Sequence, residues 1–390
     1  MASFSSLIES ISSRLDEDEM VELAVKLIEK NTVNPPGNEY LVKDILIEAL
    51  QKIGARIKTF EPSPGRSSIV GFIGEGAPVF AIISHMDVVP PGEGWDFDPF
   101  SPIVKDGKIY GRGAVDNKGP FAASYAGIKA LLKSGISLKG TLVLGAVADE
   151  EKGSLWGMQH ILDSGFGCDF CIIPDGGELD RIIVGEKGRM EVCLKTRGKS
   201  AHASQPQKGE NAIYKMVDYL SLLKKSSLKG PHHPLFDAPT INLGEIKGGQ
   251  APNIVPDVCE AVLDIRFPLG MEEELILSYL QSLSVETKVE VEVEKRKFSA
   301  KPHLLDLQHP FVRIFKEVAR ELNIQLSVGT MGGITLAKNF YFHGIPAIVH
   351  SPAEESVAHQ ANEYVKIKNL AICAKLWAAV AGKLLENKEG

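Results

Sequence analysis

Residues 84–90 read S-H-M-D-V-V-P and follow the apolar run Val79-Phe80-Ala81-Ile82-Ile83. A histidine and an aspartate two apart, at the end of a buried strand, offer an imidazole and a carboxylate on a rigid support. The same arrangement recurs along the chain. Asp116 stands in the glycine-rich segment G-R-G-A-V-D-N-K-G, Asp149-Glu150-Glu151 follows the apolar run 142–147, and Asp175 follows a strand at 170–174. Open α/β sheets gather their sites at the carboxyl ends of strands. Taken singly, each residue has a plain structural reading: an acid after a strand is often a helix N-cap, His85 an ordinary strand end, 149–151 a solvated turn. Together they crowd one sheet edge with carboxylates, which raise one another's pKa unless a cation neutralises them. Imidazole and carboxylate donors with no cysteine nearby suit zinc, manganese or cobalt. A carboxylate not used for coordination is free to act as a base toward a metal-activated water.

Such a site needs a frame. Helical periodicity covers 18–30, ended by Asn34-Pro35-Pro36-Gly37, and then about 39–53. Strands near 68–73, 79–83, 141–147 and 170–174 alternate with helices near 120–134 and 153–164. This alternation predicts an α/β sandwich with a largely parallel sheet. After about Gly185 the order becomes strand 188–196, helix 210–226, strands 240–246 and 258–267, helix 271–283 and strand 288–297. That β-α-β-β-α-β order is ferredoxin-like. Alternation resumes with a helix near 310–322, a strand at 345–349 and a helix at 366–385. The reading is a discontinuous catalytic domain, 1–186 and 298–390, with an inserted α+β lid or dimerisation domain at 187–297.

The bulk numbers narrow the partners. At 390 residues the chain is long for a single core. A net charge of −7 disfavours nucleic acid or an anionic membrane as the main partner. No apolar stretch approaches the roughly 18 residues of a membrane span. The N-terminal MASFSSLIESISSRL reads as an amphipathic helix, not a signal peptide. Five cysteines, odd in number and without framework spacing, suggest reduced thiols in the cytoplasm. Cys168-x-x-Cys171 reads as core packing. The segment G-R-G lacks the spacing of nucleotide-binding loops.

The set S-H-M-D-V-V-P, G-W-D-F-D-P-F, G-R-G-A-V-D-N-K-G-P, D-E-E-K-G-S and A-H-Q-A-N-E-Y resembles the co-catalytic zinc aminoacylase/carboxypeptidase family. That family includes carnosinases, bacterial dipeptidases, acetylornithine deacetylase and succinyl-diaminopimelate desuccinylase. The resemblance implies two divalent metal ions, zinc first, with manganese or cobalt possible. His85 would be a ligand of one metal, with Asp87 orienting its imidazole, and Asp116 the bridging carboxylate before a cis peptide bond. Asp175 would complete the first metal, Glu151 and His359 would hold the second, and Glu150 would be the general base. His202, in G-K-S-A-H-A-S, matches a histidine that stabilises the oxyanion in the partner subunit's site, which implies a homodimer formed through the insert. Asn253 and Arg266 match positions that bind the substrate's carboxylate or oxyanion.

One loop departs from the family. Many of its deacylases carry G-G-T-x-D-x-R, where this chain reads Gly332-Gly333-Ile334-Thr335-Leu336-Ala337-Lys338. The aspartate is missing and a lysine replaces the arginine, a point charge without a bidentate fork. With D-V-V-P-P-G-E-G-W, D-N-K-G-P and an aspartate at 175, this leans to the dipeptidase and carnosinase branch. Gly333, Thr335 and Lys338 join the expected substrate contacts. The substrate expected first is a dipeptide or similar small amide with a free carboxylate, and next an N-acyl amino acid. A binding homologue without turnover is the distant alternative, and neither Glu150 nor a ligand is missing.

Overall fold

The strand Val79–His85 is buried on both faces from its second residue onward, the mark of a central strand in a parallel sheet. In the computed structural model, which describes residues 4–353 and 357–386, it lies between Gly140–Val147 and Phe170–Ile173 and parallel to both. Ala347–Val349 extends the parallel set beyond Phe170–Ile173. Antiparallel strands flank it: Ser68–Glu75 and then Arg56–Phe60 on one side, Arg181–Glu186 on the other. The central sheet is thus mixed but parallel where the candidate ligands emerge. Helices Lys118–Lys133 and Ile367–Leu385 pack on its middle strands. They approach closely because Gly127 carries no side chain: a Cβ there would lie 2.2 Å from the Ala374 carbonyl oxygen. Helix Lys43–Lys52 covers the outer strands Arg56–Phe60 and Ser68–Glu75, and Ala337–Phe342 covers Phe170–Ile173 and Ala347–Val349.

The chain divides into two compact units, the second comprising Gly185–Leu304 and Thr330–Gly333. The segment 187–297 singled out in the sequence falls within it. Its four strands are antiparallel, in the order Thr240–Gly248, Val258–Phe267, Gly188–Arg197, Val291–Ala300. The two inner strands alternate buried and half-buried residues, with Met190, Val192, Leu194, Ala261, Leu263 and Ile265 pointing inward. Helices Ala212–Lys225 and Glu273–Thr287 pack on this sheet and supply Met216, Tyr219, Ile276 and Leu280 to its core. Thr240–Gly248 is an edge strand, exposed along most of its length.

Several elements differ from the sequence reading: the strands Arg56–Phe60 and Arg181–Glu186 were not expected, and the strand expected at 288–297 runs Val291–Ala300. The helix expected over 153–164 is only Met158–Asp163. Asp149, Gly153 and Ser154 all take left-handed backbone and turn the chain before a helix can start. The helix expected over 271–283 runs Glu273–Thr287, ended by Lys288 at φ 53°.

Candidate metal centre

Each parallel strand ends in a loop that carries donors. His85 is the last residue of its strand, fully buried. Its Nδ1 lies 3.0 Å from the carbonyl oxygen of Asp87. A carbonyl only accepts, so Nδ1 carries a hydrogen and Nε2 is left as the ligand atom. That Nε2 sits 2.8 Å from Asp116 Oδ1 and 3.9 Å from Asp175 Oδ2. The other Asp116 oxygen lies 3.1 Å from His359 Nε2, which is 3.3 Å from Glu151 Oε1. Two groups able to hold a metal result, His85–Asp116–Asp175 and Asp116–Glu151–His359, sharing Asp116. The peptide bond Asp116–Asn117 is cis.

Asp87 faces His85 with both its carbonyl and its carboxylate. The carbonyl, not the carboxylate, makes the shorter contact with His85; the carboxylate is 3.6 Å from Nδ1. Its carboxylate oxygens also accept from the backbone N–H of Glu150 and of Glu151, both at 3.0 Å, and from Asn34 Nδ2 at 2.9 Å. Asp87 therefore ties the His85 strand end to the turn that carries Glu150 and Glu151.

A second clamp was not assigned from sequence. Glu363 is buried, and its Oε1 accepts from the backbone N–H of Gly113, Val115 and Asp116 at 3.1, 2.9 and 3.2 Å. Its Oε2 meets Arg112 Nη1 at 2.5 Å. The short strand Tyr364–Lys366 pairs with Lys108–Tyr110 and brings Glu363 there. Asn362 adds a reciprocal pair with Asp96, at 3.0 and 2.8 Å. The loop bearing His359 is thereby fixed to the loop bearing Asp116. Lys118 is buried beside it, donates to the Lys30 carbonyl at 2.7 Å, and burial pulls its amine down to about 7.

The electrostatics fit a cation. Burial first, then the Asp116 charge, pushes Asp175 up to about 7. Burial raises Glu151 and, with the acids around it, holds Glu150 well above the carboxylate range. Burial acts the same way on Asp116, yet hydrogen bonds from His359 and His85 outweigh it and keep this carboxyl low. Asp116 and Glu151 in turn push His359 up to about 10. Glu151 Oε1 is buried, with His359 Nε2 facing it. The donor set of imidazole nitrogen and carboxylate oxygen suits zinc, manganese or cobalt.

The other expected residues lie apart in sequence and role. In the second unit, His202 pairs with Ile254 in an isolated bridge, and the Ala203 N–H donates to the Asn253 carbonyl at 3.0 Å, so His202 and Asn253 are neighbours. The His202 ring is exposed and contacts Ser204 Oγ at 2.8 Å. Arg266 Nε donates to Asp264 at 2.6 Å and Nη1 to the Gly332 carbonyl, next to Gly333, at 2.9 Å. Thr335 is buried and accepts from the Ala337 N–H at 3.1 Å; Lys338 is buried in the first turn of Ala337–Phe342. His350 is a core residue: Trp377 Nε1 donates to its Nδ1 at 3.0 Å, and its Nε2 lies 3.0 Å from the Leu179 carbonyl.

An α/β fold with two imidazole–carboxylate groups at its strand ends suits a metal-dependent enzyme, and comparison with known proteins gives its family. Residues 81–383 match peptidase family M20/M25/M40, and the chain belongs to that family as a metallohydrolase. It is 30% identical to the acetylornithine deacetylase of Vibrio parahaemolyticus, over 84% of this chain and 87% of that one. A tripeptidase from Staphylococcus aureus shares the fold at a TM-score of 0.79 and 24% identity, covering 95% of this chain and 99% of that one. Human carnosine dipeptidase 1 does so at 0.72 and 18%, covering 97% and 99%.

Proposed function

We propose that the protein hydrolyses the amide bond of dipeptides or similar small substrates with a free carboxylate, using two divalent ions, zinc first. The observation that carries this reading is Asp116 shared between two ligand groups, with Glu150, a member of neither, next to Glu151. His85, Asp116 and Asp175 would hold one ion, and Asp116, Glu151 and His359 the other. Ions held there supply Lewis acidity toward the amide carbonyl and lower the pKa of a water nucleophile. Glu150 takes the proton of the attacking water and passes it to the departing amine. Burial, which raises its carboxyl, suits it to hold that proton between the two steps. Arg266, Asn253, Gly333, Thr335 and Lys338 receive the substrate's carboxylate or oxyanion, and His202 serves the partner subunit's site.

Several features support the finer points. Leu243 and Ile246 on the exposed edge strand, with Tyr214 and Val217 on the neighbouring helix, leave apolar side chains in solvent on the second unit. They suit a homodimer formed through that unit. The five free cysteines suit the cytoplasm, and among the described residues no helix is long and apolar enough to cross a membrane.

Deacylation of N-acyl amino acids is the second reading, favoured by the 30% identity to an acetylornithine deacetylase. The experiment is a panel of dipeptides, β-Ala-His included, beside N-acetyl and N-succinyl amino acids, with zinc- or manganese-loaded protein. Dipeptide cleavage that a chelator stops is the expected result. Deacylation alone would replace the first reading by the second, and an untouched panel would contradict both.

A further inference from the structure

Behind the turn that carries Glu150 and Glu151 lies a buried polar network built around one guanidinium. Arg66 is 6% exposed. Its Nη2 lies 2.8 Å from both Glu39 Oε1 and Asp149 Oδ1, and its Nη1 donates to Asn34 Oδ1 at 3.2 Å and the Pro36 carbonyl at 2.9 Å. Gly37, at φ +80°, makes room for it: a Cβ there would sit 1.8 Å from Nη1. Asn34 Nδ2 donates in turn to Asp87 at 2.9 Å and Asp149 at 3.1 Å.

This network holds three successive backbone N–H groups. That of Asp149 donates to Glu39 Oε1 at 3.2 Å, and those of Glu150 and Glu151 donate to Asp87. Asp149 itself sits in left-handed backbone at φ 66°, where an aspartate stays only if its surroundings fix it. Its Oδ2 also accepts from the Trp156 N–H at 2.9 Å. Arg66 is the guanidinium that pairs with both Glu39 and Asp149 in this buried space, and it reaches Asp87 through Asn34.

We propose that Arg66 is a positioning residue: through Asp149 and Asn34 its guanidinium fork fixes the turn that aims Glu150 and Glu151. The proposal rests on Glu150 acting as the base. A methionine at 66 fills the volume without the fork, and a lysine keeps the charge alone.

The test is Arg66→Met and Arg66→Lys, with both metal sites saturated. Arg66→Met is expected to lower kcat about 10–100-fold, the range for residues supporting a metal site, with KM nearly unchanged. The visible spectrum of the Co(II)-loaded protein should shift, because Glu151 moves with the turn. Asp149→Asn should lose a similar factor, and the double variant no more than the worse single one, because both act through one contact. A folded Arg66→Met with wild-type kcat and Co(II) spectrum would overturn the proposal. If Arg66→Met does not fold, Arg66→Lys decides: reduced kcat at an unchanged Tm supports the fork, full kcat overturns it. If the wild type cleaves nothing in the panel, the functional reading has failed, and the Co(II) spectrum alone tests the positioning.

Discussion

Glu363 shows how far single residues carry this site. It touches no expected ligand atom, yet its carboxylate collects the backbone N–H groups around Asp116 and stands four positions beyond His359. Glu363→Gln turns an acceptor oxygen into a donor facing other donors, or frees Arg112 from its counter-charge. Affinity for zinc should fall about 10–100-fold, as for other residues that orient metal ligands, measured by competition with a chromophoric chelator. Unchanged affinity would show that the loop holds its shape without this clamp. At this scale the sequence was legible where a polar residue ends an apolar run. His85, Asp116, Glu151, Asp175 and His359 stood out in that way or through a motif, and the structure brings them together. Arg66 and Glu39 gave no such signal, and Arg112, although inside the motif G-R-G-A-V-D-N-K-G, gave no sign of its partner. Their partners lie 83, 110 and 251 positions away, and no local pattern records pairings at that distance.

The elements were legible wherever apolar runs were long. The buried strand Val79–His85 and the helix Ile367–Leu385 could be read from periodicity or apolar content. The segment 153–164 misled, because left-handed residues at 149, 153 and 154 interrupt what the apolar pattern allows. Packing between elements was not legible. Gly127 looks like a weakness inside Lys118–Lys133, but Ile367–Leu385 comes so close there that a Cβ would meet the Ala374 carbonyl oxygen at 2.2 Å. Gly127→Ala improves helix propensity by about 1 kcal/mol and should still lower stability, by roughly 1–3 kcal/mol from overpacking. Chemical denaturation of metal-loaded protein checks this; a stabilised Gly127→Ala would mean that the two helices separate at little cost.

For the whole molecule, the ferredoxin-like order of the insert was readable from element succession alone, whereas the apolar side chains on its edge strand appear only in three dimensions. Ile246→Lys places a charge on that exposed strand. The wild type should sediment as a dimer and Ile246→Lys as a monomer; identical sedimentation of the two would remove this face from the assembly. Acid stability has a global source in His350, which burial pulls down to about 4 from 6.5. Between those values the unfolded chain binds a proton that the folded chain refuses, so stability is present above about 6.5 and drains as pH falls toward 4. The full term is on the order of 3 kcal/mol. His350→Gln should show a smaller Tm loss between pH 7 and 5 than the wild type. An equal loss would place the acid sensitivity in other groups.

The most direct test of the two-ion hydrolase with Glu150 as its base is Glu150→Gln, assayed for metal content and turnover beside the wild type. The account predicts two ions per chain in both proteins and a loss of kcat of roughly 10²–10⁴-fold in the variant, the range for removal of a general base. An ion lost from Glu150→Gln would reverse the assignment of Glu150 and Glu151. Full turnover with both ions present would contradict the account.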